Sequence, residues 1–277
     1  KEKYLRKLLK GEFVIGLGMT EPNAGSAVTD LKTRAVKDGD GFRVTGGKVF
    51  TSNSPDADIF LVYVRYHEGL DGIGSVLMDT SMEGFSKGKP SKYTNGEEWC
   101  ALYFDNVFIP KENVLLGPGG FKKQIVGFNA ERIGNTARSL AVGEFAFNVA
   151  REHALTREQF GKKICEFQGI QWKFSEMKMK IDAGRLLLYR AAMTADKGFP
   201  SSHETSIAKA FCNEAGFYIC NEAMQVMGGM GYSEESLVEY CFRKSRGWQI
   251  AGGSTEMMKN RIAEDIFERR FSQRPNK

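Results

Sequence analysis

The sequence predicts an α+β chain with its strands in the first half and its helices in the second. Three observations carry this. Runs rich in Val, Leu, Tyr and Phe, broken by Asp-Gly, Asn-Ser-Pro and Gly-Gly turns, fill the N-terminal half. From Lys122 onward apolar residues recur at helical spacing. Gly117-Pro118-Gly119-Gly120 separates the two patterns and marks a domain boundary, giving 1–118 and 119–277. Strands first and helices later argue against a doubly wound α/β sheet.

Taken in order, the opening KEKYLRKLLKGEF reads as a short helix and FVIGLGM as a β-like run. KDGDGFRVTGGKVFTSN reads as a hairpin with strand ends at Asp38-Gly39 and Gly46-Gly47. Phe60–His67, Gly74–Met78 and Ala101–Phe104 read as further strands. Helices are expected over Lys122–Ala154, Ile170–Lys197, Glu204–Met227 and Glu256–Arg270. In the first of these, Ala137, Ala141 and Gly143 would let a neighbouring helix approach closely.

At 277 residues there is room for two domains and a sizeable core. A hydrophobic share of 42% with 26% charged residues is ordinary for a soluble globular protein. No apolar run approaches the roughly 20 residues that span a bilayer, and the opening segment lacks the apolar stretch of a secretory signal. The net charge of +5 is interleaved rather than clustered, which reads as a solvated surface and excludes a basic-aromatic nucleic-acid stripe. It would suit an anionic ligand. The cysteines at 100, 165, 212, 220 and 241 form no CxxC pair and read as free thiols in a reducing compartment. With only His67, His153 and His203, neither a zinc site nor a histidine triad is readily built, and no metal is expected.

Gly228-Gly229-Met230-Gly231 contains a GxG, but the preceding CNEAMQVM is helical in pattern. A dinucleotide fingerprint needs a strand there, so the cluster reads first as a glycine-terminated helix, although a ligand over the glycines is compatible with it. Four segments are more specific: Thr20-Glu21-Pro22-Asn23-Ala24-Gly25-Ser26 after the β-like run, Arg157-Glu158-Gln159-Phe160-Gly161-Lys162, Gln225 through Tyr232, and Gly252-Gly253-Ser254-Thr255-Glu256-Met257-Met258. Their order and spacing resemble the acyl-CoA dehydrogenase family across nearly the whole chain. The resemblance implies a β-barrel-like middle domain followed by a C-terminal four-helix bundle. The family's N-terminal helical domain has no counterpart in the sequence. It also implies FAD, an acyl-CoA substrate, a homotetramer, electron-transferring flavoprotein as redox partner, and the bacterial cytoplasm or mitochondrial matrix.

By that resemblance Met19, Thr20, Phe50 and Ser52 line the flavin ring; the family often has Trp and Thr where Phe50 and Ser52 stand. The alternative for Phe50 is a core strand residue. Ser26 would contact CoA. Arg157, Gln159 and Phe160 would bind the FAD diphosphate from a neighbouring subunit, where an Arg fork suits a pyrophosphate. Gln225 and Gly229 would pack on that diphosphate, glycine allowing close backbone approach. Ser254 and Glu256 would lie near the flavin.

The implied chemistry removes an α-proton while a hydride leaves Cβ, and the thioester oxygen needs stabilisation. The resemblance assigns one donor to the Gly252 N–H. Many family members carry the catalytic glutamate at this position, and glycine stands here instead. Long-chain and isovaleryl-type members place the base in a Phe-x-x-Glu-Arg pattern, matched by Phe128-Asn129-Ala130-Glu131-Arg132. Glu131 is therefore the expected base, and a raised pKa would suit it; the competing reading is a helix N-terminal acid. Phe128 and Arg132 would border the substrate. Ala251, Gly252 and Gly253 are small and leave space for a branched or bulky acyl group, and the usual Arg-x-Ser element is missing from Lys92–Trp99. Two alternatives stay open: a flavin-dependent enoyl-CoA reductase on the same fold, and a catalytically inactive interaction or assembly protein.

Overall fold

The computed structural model describes residues 4–272, which fall into two compact units divided between Ile125 and Val126. In the first unit a short helix α1 (Leu5–Leu9) precedes nine strands: β1 (Ile15–Gly18), β2 (Arg34–Asp38), β3 (Gly41–Ser52), β4 (Ile59–Arg65), β5 (Ile73–Asp79), β6 (Phe85–Lys87), β7 (Ser91–Lys92), β8 (Glu98–Pro110) and β9 (Val114–Leu116). They form one sheet in the order β6-β8-β3-β2-β4-β5-β9, with β1 parallel to the start of β4 and β7 on the edge of β8. β4 is buried along nearly its whole length, as a continuous apolar run requires. Phe60, Val62 and Val64 on one face join Val44, Val76, Met78, Leu102, Val107 and Ile109 in the core. Tyr63 faces the other way and meets Leu31, Ile73 and Phe121.

The expected hairpin forms across Gly39 (φ 51°), but its second strand does not stop at Gly46-Gly47. β3 runs on to Ser52, and Gly46 (φ 146°) sits at a register shift. A Cβ on Gly46 would lie 2.7 Å from Thr33 Cα, and one on Gly47 would lie 2.8 Å from the Leu102 carbonyl. These glycines serve close backbone approach at a bulge. A second shift between Lys48 and Thr51 contains Phe50.

The second unit contains α2 (Phe121–Thr156, from Val126 on), a two-residue-strand hairpin of β10 (Glu158–Gln159) and β11 (Lys162–Lys163), α3 (Gln168–Met193), α4 (Ser202–Met227), the single turn α5 (Gly229–Tyr232), α6 (Leu237–Trp248) and α7 (Thr255–Ile266). The four expected helices are present, and α7 ends at Ile266 rather than Arg270. α6 was not anticipated; its buried Val238, Cys241 and Ser245 follow helical spacing, and the Ser236 side chain caps it by accepting from the Val238 N–H. α4 lies innermost, with Ala208, Cys212, Ile219, Cys220 and Ala223 fully buried.

α2 approaches α4 through Gly143, whose Cβ position is 3.3 Å from Gly216 Cα. Ala141, expected on that face, is exposed in this chain. Ser139 takes its place, and a Cβ on Gly216 would lie 2.6 Å from the Ser139 carbonyl. Gly216→Ala is therefore expected to cost roughly 1–3 kcal/mol by overpacking, read as a lower thermal midpoint. Cys100, Cys212, Cys220 and Cys241 are buried and Cys165 is half-buried, all as free thiols. Among the described residues no helix is long and apolar enough to cross a membrane.

Candidate active site

In the first unit the loop Met19–Ser26 is held by a buried ion pair. The Glu21 carboxylate accepts from Lys48 Nζ (2.8 Å), the Lys32 N–H (2.6 Å), the Thr33 N–H (3.0 Å) and the Thr33 hydroxyl (2.7 Å). Lys48 Nζ also donates to the Met19 carbonyl at 3.2 Å, and the Val49 N–H donates to Thr20 O at 2.9 Å. Burial alone would raise the Glu21 pKa; the Lys48 charge and the converging donors outweigh it and hold the carboxyl below its ordinary value. Burial pushes the Lys48 ammonium down to about 8, against the attraction of Glu21. The loop is thereby fixed beside the β3 bulge.

At that bulge Phe50 has φ 56° and is 55% exposed, which rules out the core-strand alternative in this chain. It packs at 4.7 Å, centroid to centroid, on Trp99, and Trp99 stacks on Tyr93 at 6.1 Å. Thr51 turns inward while Ser52 is exposed. Met19 and Thr20 are half-buried and Ser26 is exposed. An aromatic residue held at positive φ and left open is a strained arrangement that the bulge imposes.

The second unit repeats this pattern. Between β10 and β11, Phe160 (φ 52°) and Gly161 (φ 77°) occupy the two central positions of a hairpin turn that requires positive φ at both. Phe160 is 95% exposed, and Arg157 and Gln159 are exposed beside it. Asparagine tolerates this conformation far better than phenylalanine. Phe160→Asn is expected to stabilise the hairpin by about 1 kcal/mol, measured by thermal melts. Gly228 (φ 60°) caps α4, as the glycine-terminated reading expects. Cβ positions at Gly228 and Gly229 face open space, and Gln225 is exposed one turn earlier.

Glu131 lies on α2. Asn135 Nδ2, one turn on, donates to Glu131 Oε1 at 3.3 Å. The carboxyl is reachable by solvent in this chain, yet protein atoms crowd it. That burial raises its pKa above the ordinary glutamate value, against the Asn135 hydrogen bond and the Arg132, Arg138 and Lys209 charges. Arg132 Nε donates to the Gly252 carbonyl (2.9 Å) and its Nη1 to Asn129 Oδ1 (2.9 Å), with the guanidinium 5.3 Å from the Phe128 ring centroid. Gly252 (φ 70°) and Gly253 (φ 94°) are both left-handed. A Cβ at Gly252 would meet Asn135 Nδ2 and Lys209 Cε at 3.6 Å each. Space would therefore admit a side chain there, and backbone conformation disfavours one. Among the described residues the Gly252 N–H donates to no protein group.

The structure thus gathers Phe128, Glu131, Arg132, Gly252 and Gly253 in one neighbourhood. Ala251 is exposed at its margin. Ser254 caps α7 by accepting from the Met257 N–H, and Glu256 sits in the first turn, its carboxyl held low by its own backbone N–H and by Ser254. Sequence reasoning passed over Asn135, Lys209, Lys48 and the role of Glu21. The available signal was a lone lysine inside an apolar run, Ile207-Ala208-Lys209-Ala210-Phe211 and again Gly47-Lys48-Val49-Phe50.

Comparison with known proteins identifies the family. The profile of the acyl-CoA dehydrogenase middle domain matches residues 16–107, and that of the acyl-CoA dehydrogenase C-terminal domain matches 119–267. A short-chain-specific acyl-CoA dehydrogenase of Megasphaera elsdenii is 36% identical over 263 residues, 93% of this chain and 69% of that protein. Subunit CarC of the caffeyl-CoA reductase-Etf complex of Acetobacterium woodii is 33% identical over 274 residues, 97% of this chain and 72% of that protein. The three-dimensional structure of butyryl-CoA dehydrogenase from Megasphaera elsdenii superposes with a TM-score of 0.90 at 33% identity, over 96% of this chain and 71% of that one. With both profiles matched in order, a relative 36% identical and the fold shared, this chain is an enzyme of the acyl-CoA dehydrogenase family, an oxidoreductase.

Proposed function

We propose that this enzyme uses FAD to dehydrogenate an acyl-CoA thioester between Cα and Cβ, with Glu131 as the base. One observation carries the reading. A carboxylate whose proton affinity is raised by burial lies one residue, Asn135, away from a left-handed glycine with an undirected N–H. A base working near neutrality and a donor for an enolate-like oxygen are what α-proton removal needs.

The residues present fit a flavin. Phe50 and Phe160 are aromatic side chains kept exposed at positive φ, and open space lies over Gly228 and Gly229. Met19, Thr20, Phe50 and Ser52 would hold the ring, and Arg157, Gln159, Phe160, Gln225 and Gly229 the diphosphate, with Ser254 and Glu256 nearby. When bound, FAD supplies the acceptor for the β-hydride. Ser26 is the CoA contact. Phe128, Arg132, Ala251 and Gly253 border the acyl group, and the small residues at 251–253 favour branched or bulky chains. Glu131 takes the α-proton, the Gly252 N–H donates to the thioester oxygen, and Arg132 fixes Gly252 through its carbonyl.

The assembly we propose is a homotetramer in which Arg157, Gln159 and Phe160 serve a neighbouring subunit. Its redox partner is an electron-transferring flavoprotein, and its compartment the bacterial cytoplasm or mitochondrial matrix. The test is anaerobic bleaching of the bound flavin by straight, branched and aromatic acyl-CoAs. Bleaching by a branched class ahead of straight chains is the expected result. Oxidation of pre-reduced flavin by enoyl-CoAs without bleaching by saturated ones would favour a reductase, and no response to any ester would favour a non-catalytic protein.

A further inference from the structure

The turn that carries Gly252 has little to hold it from within. Gly252 and Gly253 stand consecutively in the left-handed region, where glycine is permissive and least restrained. Its own backbone contributes Ile250 N–H and Ala251 N–H to Gly247 O, and Thr255 N–H to Gln249 O. Its own side chains add two long hydrogen bonds, Thr255 Oγ1 to Gln249 O (3.5 Å) and Gln249 Nε2 to Asn213 O (3.4 Å), and the shorter anchors come from side chains below. Lys209 Nζ donates to Trp248 O (3.0 Å) and to Gly253 O (2.9 Å), clamping both ends of the turn. Asn213 Nδ2 shares the Trp248 carbonyl at 2.7 Å, and Arg132 Nε takes Gly252 O at 2.9 Å.

Lys209 is 1% exposed on the innermost helix. Among the described residues no carboxylate comes within ion-pairing distance of it. A buried ammonium satisfied by two neutral carbonyls is costly, and an apolar residue of similar size would be the more stable choice. Burial, with Arg132 adding to it and Glu131 opposing, lowers its pKa to about 8, so it is still mostly charged at neutrality. The side chain is also continuous with the candidate base. Its Cε lies 3.6 Å from the Cβ position of Gly252, as does Asn135 Nδ2, which bonds Glu131.

We propose, on the basis of the function argued above, that Lys209 is a positioning residue of the reaction: its buried ammonium clamps the 248–253 turn so that the Gly252 N–H stays in register with the Glu131 carboxylate, and its charge acts on that carboxylate. The charged groups facing Glu131 are Arg132 and Arg138 of its own helix and Lys209 of α4; those facing Lys209 are Glu131 and Arg132. Lys209 thus has a geometric effect, through the turn, and an electrostatic one, through its charge, and the two are separable.

The experiment compares wild type, Lys209→Met and Lys209→Gln in the FAD-loaded protein. Two readouts are taken: amide hydrogen exchange across residues 249–255, and deuterium uptake at the α-carbon of an acyl-CoA in D2O as a function of pH. Lys209→Met removes both hydrogen bonds and is expected to speed amide exchange in the turn by about tenfold or more, the size that one lost hydrogen bond to a charged group alone produces. It should also slow α-deuteration and move its acid-limb midpoint up by about one pH unit. Lys209→Gln, which keeps an N–H donor and loses the charge, should restore most of the amide protection and retain the shifted midpoint. If Lys209→Met does not fold, the midpoint in Lys209→Gln decides alone. A midpoint unmoved in the folded variants, with amide exchange unchanged, would overturn the role of Lys209 while leaving Glu131 as base. A wild-type protein that deuterates no acyl-CoA would overturn the function itself and this inference with it.

Discussion

Glu131→Gln is expected to slow reduction of the bound flavin by acyl-CoA about 10²–10⁴-fold, the range for losing a positioned general base, while FAD retention and the thermal midpoint hold. The carboxylate is the working form of a base. Because burial raises the Glu131 pKa, the acid limb of the wild-type rate profile should lie above the ordinary glutamate value and vanish in the variant. The stability sign follows from the same shift. A folded-state pKa above the unfolded one means the native state binds the proton more tightly at acid pH and loses that advantage as pH rises through it. Neutral glutamine removes the penalty, so the variant should be no less stable than wild type near neutrality. The effect is small, because solvent reaches the carboxyl and damps it. Stopped-flow reduction across pH, beside thermal melts, separates the outcomes. A variant that keeps its rate moves the base elsewhere, and one that loses rate together with its fold shows a structural role.

The largest effect on stability is expected at Glu21. Glu21→Ala leaves Lys48, fully buried, without its carboxylate, and removes the acceptor of the Lys32 N–H, the Thr33 N–H and the Thr33 hydroxyl. Breaking one side of a buried pair typically costs about 3–5 kcal/mol, and the unpaired donors add to it. The Met19–Ser26 loop loses its anchor at the same time, so flavin should be released at concentrations where wild type retains it. Since the Glu21 pKa is held below its ordinary value, its contribution is complete above that value and is lost as pH falls through the lowered one. Denaturant melts from neutrality into acid should show wild type losing stability across that window and Glu21→Ala losing correspondingly less. A change below about 1 kcal/mol, at the level of an exposed ion pair, would mean the pair is not the loop's anchor.

Much of this was legible in the residues. The switch from strand-like to helical periodicity at the glycine-rich break was readable because the two periods, 2 and 3.6, leave different stripes. α2, α3 and α4 were found within a few residues for that reason. The four segments that resemble the family pointed to the Glu131 pattern and to Phe160. α6 escaped because LVEYCFRKSRGW mixes charge and apolar residues at a length where the stripe is short. Gly46-Gly47 was read as a strand end because glycine punctuates turns and bulges alike, and only the partner strands distinguish them.

The sequence by itself determined the order of β-domain and helical domain, the family, and the residue types that the chemistry requires, since these depend on local pattern and on motifs continuous in the chain. Tertiary structure alone decided what surrounds them. It placed Phe50 outside the core at a bulge, joined Glu21 to Lys48 across 27 positions, and brought Lys209 and Arg132 onto the carbonyls of a turn 39 to 120 residues away. Buried charges are specified by what they meet in space, and their cost or benefit is fixed by burial and by partners distant in sequence. No local pattern records those.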